Sequence, residues 1–263
     1  MDNDKSALKQ LLEAGEFRRG DDPGRKTMDK VFDARTLDAI YEVMKRFKVD
    51  LIDYPVSTGK ESVVFKAIVR KKNIAIKIYK MSTLGFNSVR EYIEGDYRFE
   101  KEKLSRSSIV YVWARKEFIN LRNMEESGVK CPVPIGVHKN VLLMQYLGTS
   151  LKPAPQLRNY NGDDIAVYIH SAMNQYKNMV EKSLLIHADL SEYNILCYRK
   201  NAYIIDVGQS VPITHPMARE FLNRDINNMI IFAKKAGILQ NELSLPTFYH
   251  SWPEDPHKLL RKQ

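Results

Sequence analysis

The stretch IHADLSEYNIL, residues 186–196, constrains the fold more than any other part of the chain. Apolar residues close it at both ends, while His187, Asp189, Glu192 and Asn194 crowd its centre. Helix interiors and buried strands rarely hold that mixture, because polar groups left unpaired in a core are costly. A loop is required, and Asp189 with Asn194 on one short loop can point into a common cleft. The flanks suit this. Residues 163–182 before it read as an amphipathic helix, and ILCY and YIID after it read as two short strands around the turn RKN.

The rest of the pattern divides in two. In the first fifty residues SALKQLLEAG ends on a glycine cap, and ARTLDAIYEVMKRFKV repeats apolar residues every three or four positions. These helices are expected to precede the main domain. LIDYPV, SVVFKAIV and NIAIKIY read as strands, IGVHKNVLLMQYL as two more around a Lys-Asn turn, and residues 108–127 as a helix stopped by Gly128. Residues 81–106 carry mixed charge, two glycines and no sustained period, so a mobile surface loop is expected there. A further helix is read over 216–235. Strands early and helices late predict an α+β protein in two lobes: a helical extension over 1–48, a sheet-based lobe over 49–147 with the flexible loop 81–106, and a small helical lobe over 148–263.

With 263 residues, 44% of them hydrophobic, the chain fills a substantial core. Cys131 and Cys197 lack metal-type spacing and read as core thiols in a reduced, cytoplasmic compartment. The first residues show neither a basic nor an apolar leader region, and no apolar run approaches the roughly 18 residues of a membrane span. Forty-one Lys and Arg against 32 Asp and Glu favour a polyanionic or phosphate-bearing partner.

The five-residue spacing of Asp189 and Asn194 is that of the protein-kinase catalytic loop, in which the aspartate orients a hydroxyl and the asparagine holds magnesium. Twelve residues after Asn194, at the end of an apolar strand and next to Val207 and Gly208, Asp206 suits a second metal ligand. Lys77 sits in the apolar strand IAIKIY, where an ammonium needs a negative partner; Glu117, on the helix YVWARKEFINL, supplies one. Between the first two strands STGKESVVF holds one glycine, Gly59. It fails as a Walker loop, because Glu61 follows Lys60 where Ser or Thr belongs. Its backbone N–H groups and the hydroxyls of Ser57 and Thr58 suit phosphate oxygens.

STGKESVVF, AIKIYK, REYIEGDYRF, WARKEF, HADLSEYNIL and IIDVGQSV together resemble the RIO family of atypical serine/threonine protein kinases, most closely its type-one branch, over residues 35–235. The resemblance implies a trimmed kinase-like fold, with a sheet-based N-lobe and a small helical C-lobe that has neither activation loop nor peptide-binding subdomains. It implies ATP with Mg2+, or Mn2+ in its place, as cofactors. Asp189 is then the proton acceptor, Asn194 and Asp206 the metal ligands, and Lys77 the phosphate contact beside the loop Ser57, Thr58, Gly59 and Lys60. LLMQYL becomes the hinge, with Met144 as gatekeeper and the backbones of Gln145 and Leu147 facing adenine. Gln145 departs from the glutamate usual at that position. Ser105, Ser107 and Ser108 are candidate autophosphorylation sites, with N-capping as the plainer role for Ser107 and Ser108. Asp206 is either a metal ligand or the nucleophile of an ATPase cycle through an aspartyl-phosphate.

The same resemblance implies work in late maturation of the small ribosomal subunit, with the precursor particle and its rRNA as partners and no membrane. The compact length is that expected of archaeal members. Seven basic residues against Glu61 between Lys60 and Lys80 fit an electrostatic RNA contact at the turn Arg70-Lys71-Lys72. Two alternatives stay open at this level. One is a small-molecule kinase of the aminoglycoside or choline type, and the other a nucleotide-gated pre-ribosome binding factor with little kinase activity.

Overall fold

The computed structural model describes residues 33–81, 86–105 and 108–260. Its elements in chain order are α1 (Ala34–Phe47), β1 (Leu51–Thr58), β2 (Ser62–Val69), β3 (Lys72–Tyr79), α2 (Phe86–Ile93), α3 (Ile109–Glu126), β4 (Pro134–His138), β5 (Val141–Gln145), α4 (Ile165–Lys182), β6 (Leu185–Ile186), β7 (Ile195–Tyr198), β8 (Asn201–Ile204), β9 (Val211–Pro212), α5 (Ala218–Lys235), and the short α6 (Thr247–His250) and α7 (His257–Leu260). The chain divides into two units. One takes the residues up to Phe86, Lys103–Phe118 and Pro134–Tyr146, the other Asn87–Glu102, Ile119–Val133 and the chain from Leu147.

In the first unit the five β-branched-rich strands pair antiparallel in the order β1-β2-β3-β5-β4. α1 begins where the Asp33 carboxylate accepts the Thr36 N–H at 2.9 Å and ends at Lys48 in the left-handed conformation. Its apolar stripe, Ala39, Ile40, Val43 and Met44, is buried with Ile52, Phe65, Ile74, Ile76 and Leu143 of the sheet. Phe47 lies so close to β4 that a Cβ on Gly136 would stand 2.3 Å from its ring, so a side chain there would have to displace that ring. The helix read as part of an extension ahead of the main domain is therefore a layer of the sheet's own core. The other helix of that extension, SALKQLLEAG, falls outside the described residues.

In the second unit α4 buries Tyr168, Ile169, Ala172, Met173, Tyr176, Met179 and Val180. α5 buries Phe221, Leu222, Ile226, Met229 and Ala233, the same three-and-four spacing. Two small strand pairs set the loops. β6 pairs with β9 through Leu185 with Pro212 and Ile186 with Val211, and β7 pairs with β8 from Ile195 with Ile204 to Tyr198 with Asn201. Residues 86–93, inside the segment expected to be a mobile loop, form α2, and Val89, Ile93 and Phe99 are buried. At 8 residues it is too short to be stable alone, so packing against the unit stabilises it rather than propensity. Cys131 and Cys197 are buried free thiols, and burial pushes both up to about 12. Among the described residues no helix is long and apolar enough to cross a membrane.

Candidate active site

Register decides what each face of the first unit's sheet carries. Val64 and Leu142 flank Lys77, and Lys66 and Met144 flank Ala75. Since side chains alternate along a strand, these six share the face opposite the one that buries Ile74, Ile76 and Ile78 under α1. Lys77 Nζ donates to both carboxylate oxygens of Glu117 on α3, at 2.9 and 2.8 Å, with both residues buried. The expected pair is formed. Lys66 is buried too, and donates to Asp53 at 3.2 Å. These two lysines are thus tied inside the unit, while Arg70, Lys71 and Lys72 are exposed on their turn.

Ser57 and Thr58 are not loop residues, as the sequence reading had them. They end β1, paired with Val64 and Val63. The turn proper is Gly59–Glu61, closed by the Gly59 N–H on the Ser62 carbonyl at 2.9 Å. Lys80 Nζ donates to the Gly59 carbonyl at 2.7 Å. A Cβ on Gly59 would approach nothing nearer than the Ser62 carbonyl at 3.6 Å, so the fold itself does not demand glycine there. Ser57, Thr58, Gly59 and Lys60 are all exposed. Met144 is buried in β5 and Gln145 ends that strand, while the Leu147 carbonyl, in the second unit, accepts the Ala154 N–H at 2.9 Å.

In the second unit the strand pairs bring the loop residues together. Asn194 immediately precedes β7, Asp206 lies two residues past β8, and the Ile205 N–H bonds the Asn194 carbonyl at 3.0 Å. Asn194 Nδ2 donates to the Asp189 carbonyl at 2.9 Å and to its Oδ2 at 3.3 Å. That bond fixes which way the amide points. Asp206 is exposed and holds φ 60. Left-handed backbone at a residue other than glycine costs on the order of 1–3 kcal/mol and persists only where the surroundings over-determine it. Ala188, next to Asp189, has φ 69. Asp189 is open to solvent, yet the protein packed around it disfavours its charge and raises its pKa. The Asp206 charge adds to the rise, while His187, Arg224 and the Asn194 bond oppose it.

A residue missed in the sequence holds this loop. Asp225 on α5 is fully buried and accepts the Ala188 N–H and the Leu190 N–H, both at 2.8 Å, and the Tyr176 hydroxyl at 2.6 Å. Arg224 beside it donates to the Ala188 carbonyl. The signal was present in the sequence, since Asp225 stands in the apolar stripe of α5, four residues after Phe221 and four before Met229. Burial pushes its pKa up, against the pull of those three hydrogen bonds.

The oxygen set of Asn194 and Asp206 suits a hard cation. Among the described residues no group of three or more His, Cys, Asp or Glu is arranged to hold a metal by itself. Two protein oxygens fit magnesium, which is commonly held by one or two carboxylates together with substrate phosphates. The capping hydroxyl ahead of α3 is that of Ser105, which accepts the Ser108 N–H at 3.1 Å, while Ser108 Oγ donates to the Lys103 carbonyl at 3.1 Å. Ser107 falls outside the described residues.

An antiparallel sheet with a buried lysine–glutamate pair, a helical unit and an Asp-Asn loop define an α+β, protein-kinase-like fold. The RIO domain model matches residues 63–245. The RIO-type serine/threonine-protein kinase Rio1 of Thermoplasma acidophilum is 49% identical over 178 residues, 66% of this chain and 92% of that one. Its namesake in Haloferax volcanii is 36% identical over 213 residues, 81% of this chain and 73% of that one. Two crystal structures of the Rio2 kinase from Chaetomium thermophilum, one of them an ADP/Mg2+-phosphoaspartate complex, have TM-scores of 0.64 and 0.61. Each covers 94% of this chain, and 75% and 73% of their own, at 21% and 20% identity, a likeness of fold. The chain belongs to the RIO family of serine/threonine-protein kinases.

Proposed function

We propose that the protein is an ATP- and magnesium-dependent serine kinase and ATPase that acts on precursors of the small ribosomal subunit. The observation that carries the chemistry is the frame of two strand pairs that sets Asp189, Asn194 and Asp206 at the ends of β6, β7 and β8. In this reading Lys77, oriented by Glu117, meets the phosphates of ATP, Gly59 lets the backbone approach them, and Val64, Ala75 and Met144 line the adenine side. Gln145 and Leu147 offer main-chain groups to the base. Asn194 Oδ1 and the Asp206 carboxylate would hold magnesium, which would supply positive charge to the phosphate oxygens.

For phosphoryl transfer to a protein, Asp189 orients a serine hydroxyl and takes its proton. The hydroxyl oxygen bonds the γ-phosphorus as the bond from that phosphorus to the bridging oxygen breaks, and ADP leaves. A raised Asp189 pKa makes the carboxylate a better proton acceptor than an ordinary aspartate. A second chemistry is favoured by the strained, exposed Asp206. A carboxylate oxygen of Asp206 attacks the γ-phosphorus, ADP departs, and water then cleaves the aspartyl-phosphate to release phosphate and restore the carboxylate. The phosphoaspartate in the Rio2 kinase complex supports this cycle.

The exposed turn Arg70-Lys71-Lys72 supports an electrostatic rRNA contact, and the buried thiols suit a reducing cytoplasm. The experiment is a trap of labelled protein after single-turnover incubation with γ-labelled ATP, followed by hydroxylamine. Label lost to hydroxylamine supports the Asp206 route, and wholly resistant label confines the chemistry to serine.

A further inference from the structure

The motif REYIEGDYRF, residues 90–99, has no part in the chemistry above, yet it is locked in place. His215 Nε2 donates to the Glu94 carbonyl at 2.8 Å. Gly95, at φ 86, lies against Pro216 so closely that a Cβ would stand 2.7 Å from its Cδ. Beyond that turn, Arg98 gives Nε and Nη2 to the two oxygens of Asp96 at 2.8 and 2.7 Å, and Nη1 to Asn120 Oδ1 at 2.9 Å. Asn120 Nδ2 then donates to the carbonyls of Val207 at 2.7 Å and Ser210 at 3.0 Å. Asp96 and Asn120 are both fully buried.

Each link leaves the next little choice. A bidentate carboxylate fixes the plane of the guanidinium. The guanidinium needs an acceptor, so Asn120 must turn its oxygen to Arg98 and its two N–H groups to the loop. Reversed, the amide would set its oxygen against two carbonyls. Those carbonyls bracket the turn that follows Asp206, whose left-handed backbone has to be held from outside. A buried ion pair is commonly no more stabilising than apolar packing of equal volume. Here it sits where it orients the one turn that carries Asp206.

We propose that Asp96, Arg98 and Asn120 are positioning residues for Asp206, which act through the carbonyls of Val207 and Ser210 to set how strongly the site takes magnesium. This rests on the reading of Asp206 as a metal-holding carboxylate. The test uses the full chain and a fluorescent, non-hydrolysable ATP analogue, titrated with magnesium and, separately, without metal. Asn120→Ala raises the magnesium concentration needed for half of the metal-dependent binding by about 10- to 100-fold, while metal-free binding is unchanged. Arg98→Lys, which keeps the charge but not the fork, gives a smaller shift in the same direction, and it carries the test if Asn120→Ala does not fold. Asp206→Ala is the reference. If Asp206→Ala shifts the magnesium requirement and the folded Asn120→Ala and Arg98→Lys proteins do not, the positioning role is wrong and the metal reading stands. If Asp206→Ala leaves the requirement unchanged, the metal reading fails and takes the proposal with it.

Discussion

Replacing Asp225 by asparagine exchanges one oxygen for nitrogen directly beneath the loop that carries Asp189. The native carboxylate accepts three hydrogen bonds: Oδ2 takes the Ala188 N–H and the Tyr176 hydroxyl, and Oδ1 takes the Leu190 N–H. An amide has one acceptor oxygen, so whichever way it turns its NH2 faces a backbone N–H. The loss is a charge-assisted bond, about 1.5–3 kcal/mol, together with a buried donor left unsatisfied, about 1–3 kcal/mol. Removing a charge that burial disfavours returns part of this, so a net cost of about 2–4 kcal/mol is expected. That is a large share of the roughly 5–15 kcal/mol that holds a domain folded. Tyr176→Phe deletes one of the three charge-assisted bonds and leaves both backbone contacts, and should cost about 1.5–3 kcal/mol. Turnover should fall further than stability alone explains. Ala188 holds φ 69 next to Asp189, and a loop freed to relax by about 1 Å costs on the order of 10²-fold in rate. Urea unfolding and magnesium-dependent phosphate release, measured on both variants, check the two arms. An Asp225→Asn protein that is destabilised yet turns over at the parent rate would refute the positioning argument, and an unchanged urea midpoint would refute the energetic one.

Asp189→Asn should lower turnover by about 10²- to 10⁴-fold, the usual worth of a general base, and should also stabilise the protein near neutral pH. The raised native pKa means that the stability linked to Asp189 is present below the ordinary carboxylate range and is lost as pH rises through the native value. The gain in unfolding midpoint should therefore appear at pH 7 and vanish in acid, and a gain that is equal at both would contradict it. Lys77→Met leaves the buried Glu117 carboxylate short of its cation and should cost about 3–5 kcal/mol. Adding Glu117→Leu should recover much of that stability without recovering ATP binding, which denaturation and calorimetry can separate. Changing Arg70, Lys71 and Lys72 together to glutamine should weaken rRNA binding and flatten its salt dependence in parallel; an unaltered slope in a filter-binding series would place the RNA contact elsewhere.

The strand pattern was legible because β-branched runs bounded by turn residues are local features, and Leu51–Thr58, Ser62–Val69 and Lys72–Tyr79 follow them closely. Lys77 and Glu117 were legible for a different reason, since a charge in an apolar strand predicts a partner. What escaped depends on tertiary contact. α2 forms in a segment with two glycines and mixed charge because Val89 and Ile93 find a core to enter. Its hydrogen-bonding turn reaches Asn120, a residue that reads as an ordinary polar position in a helix. Two-residue strands such as Leu185–Ile186 and Val211–Pro212 are too short to leave a period, yet they seat the Asp189 loop beside the turn after Asp206. Asp225 leaves a legible signal too, because a single carboxylate in the apolar stripe of α5, like Lys77 in its apolar strand, needs buried partners.

The most direct trial of the whole scheme is a single-turnover experiment with γ-labelled ATP, with and without magnesium, on the parent protein and on Asp189→Asn and Asp206→Ala. Phosphate leaving ATP in the parent only when magnesium is present, and in neither variant at a comparable rate, is the predicted outcome. Magnesium-dependent cleavage that proceeds at the parent rate in both variants would mean that these carboxylates do not carry the reaction.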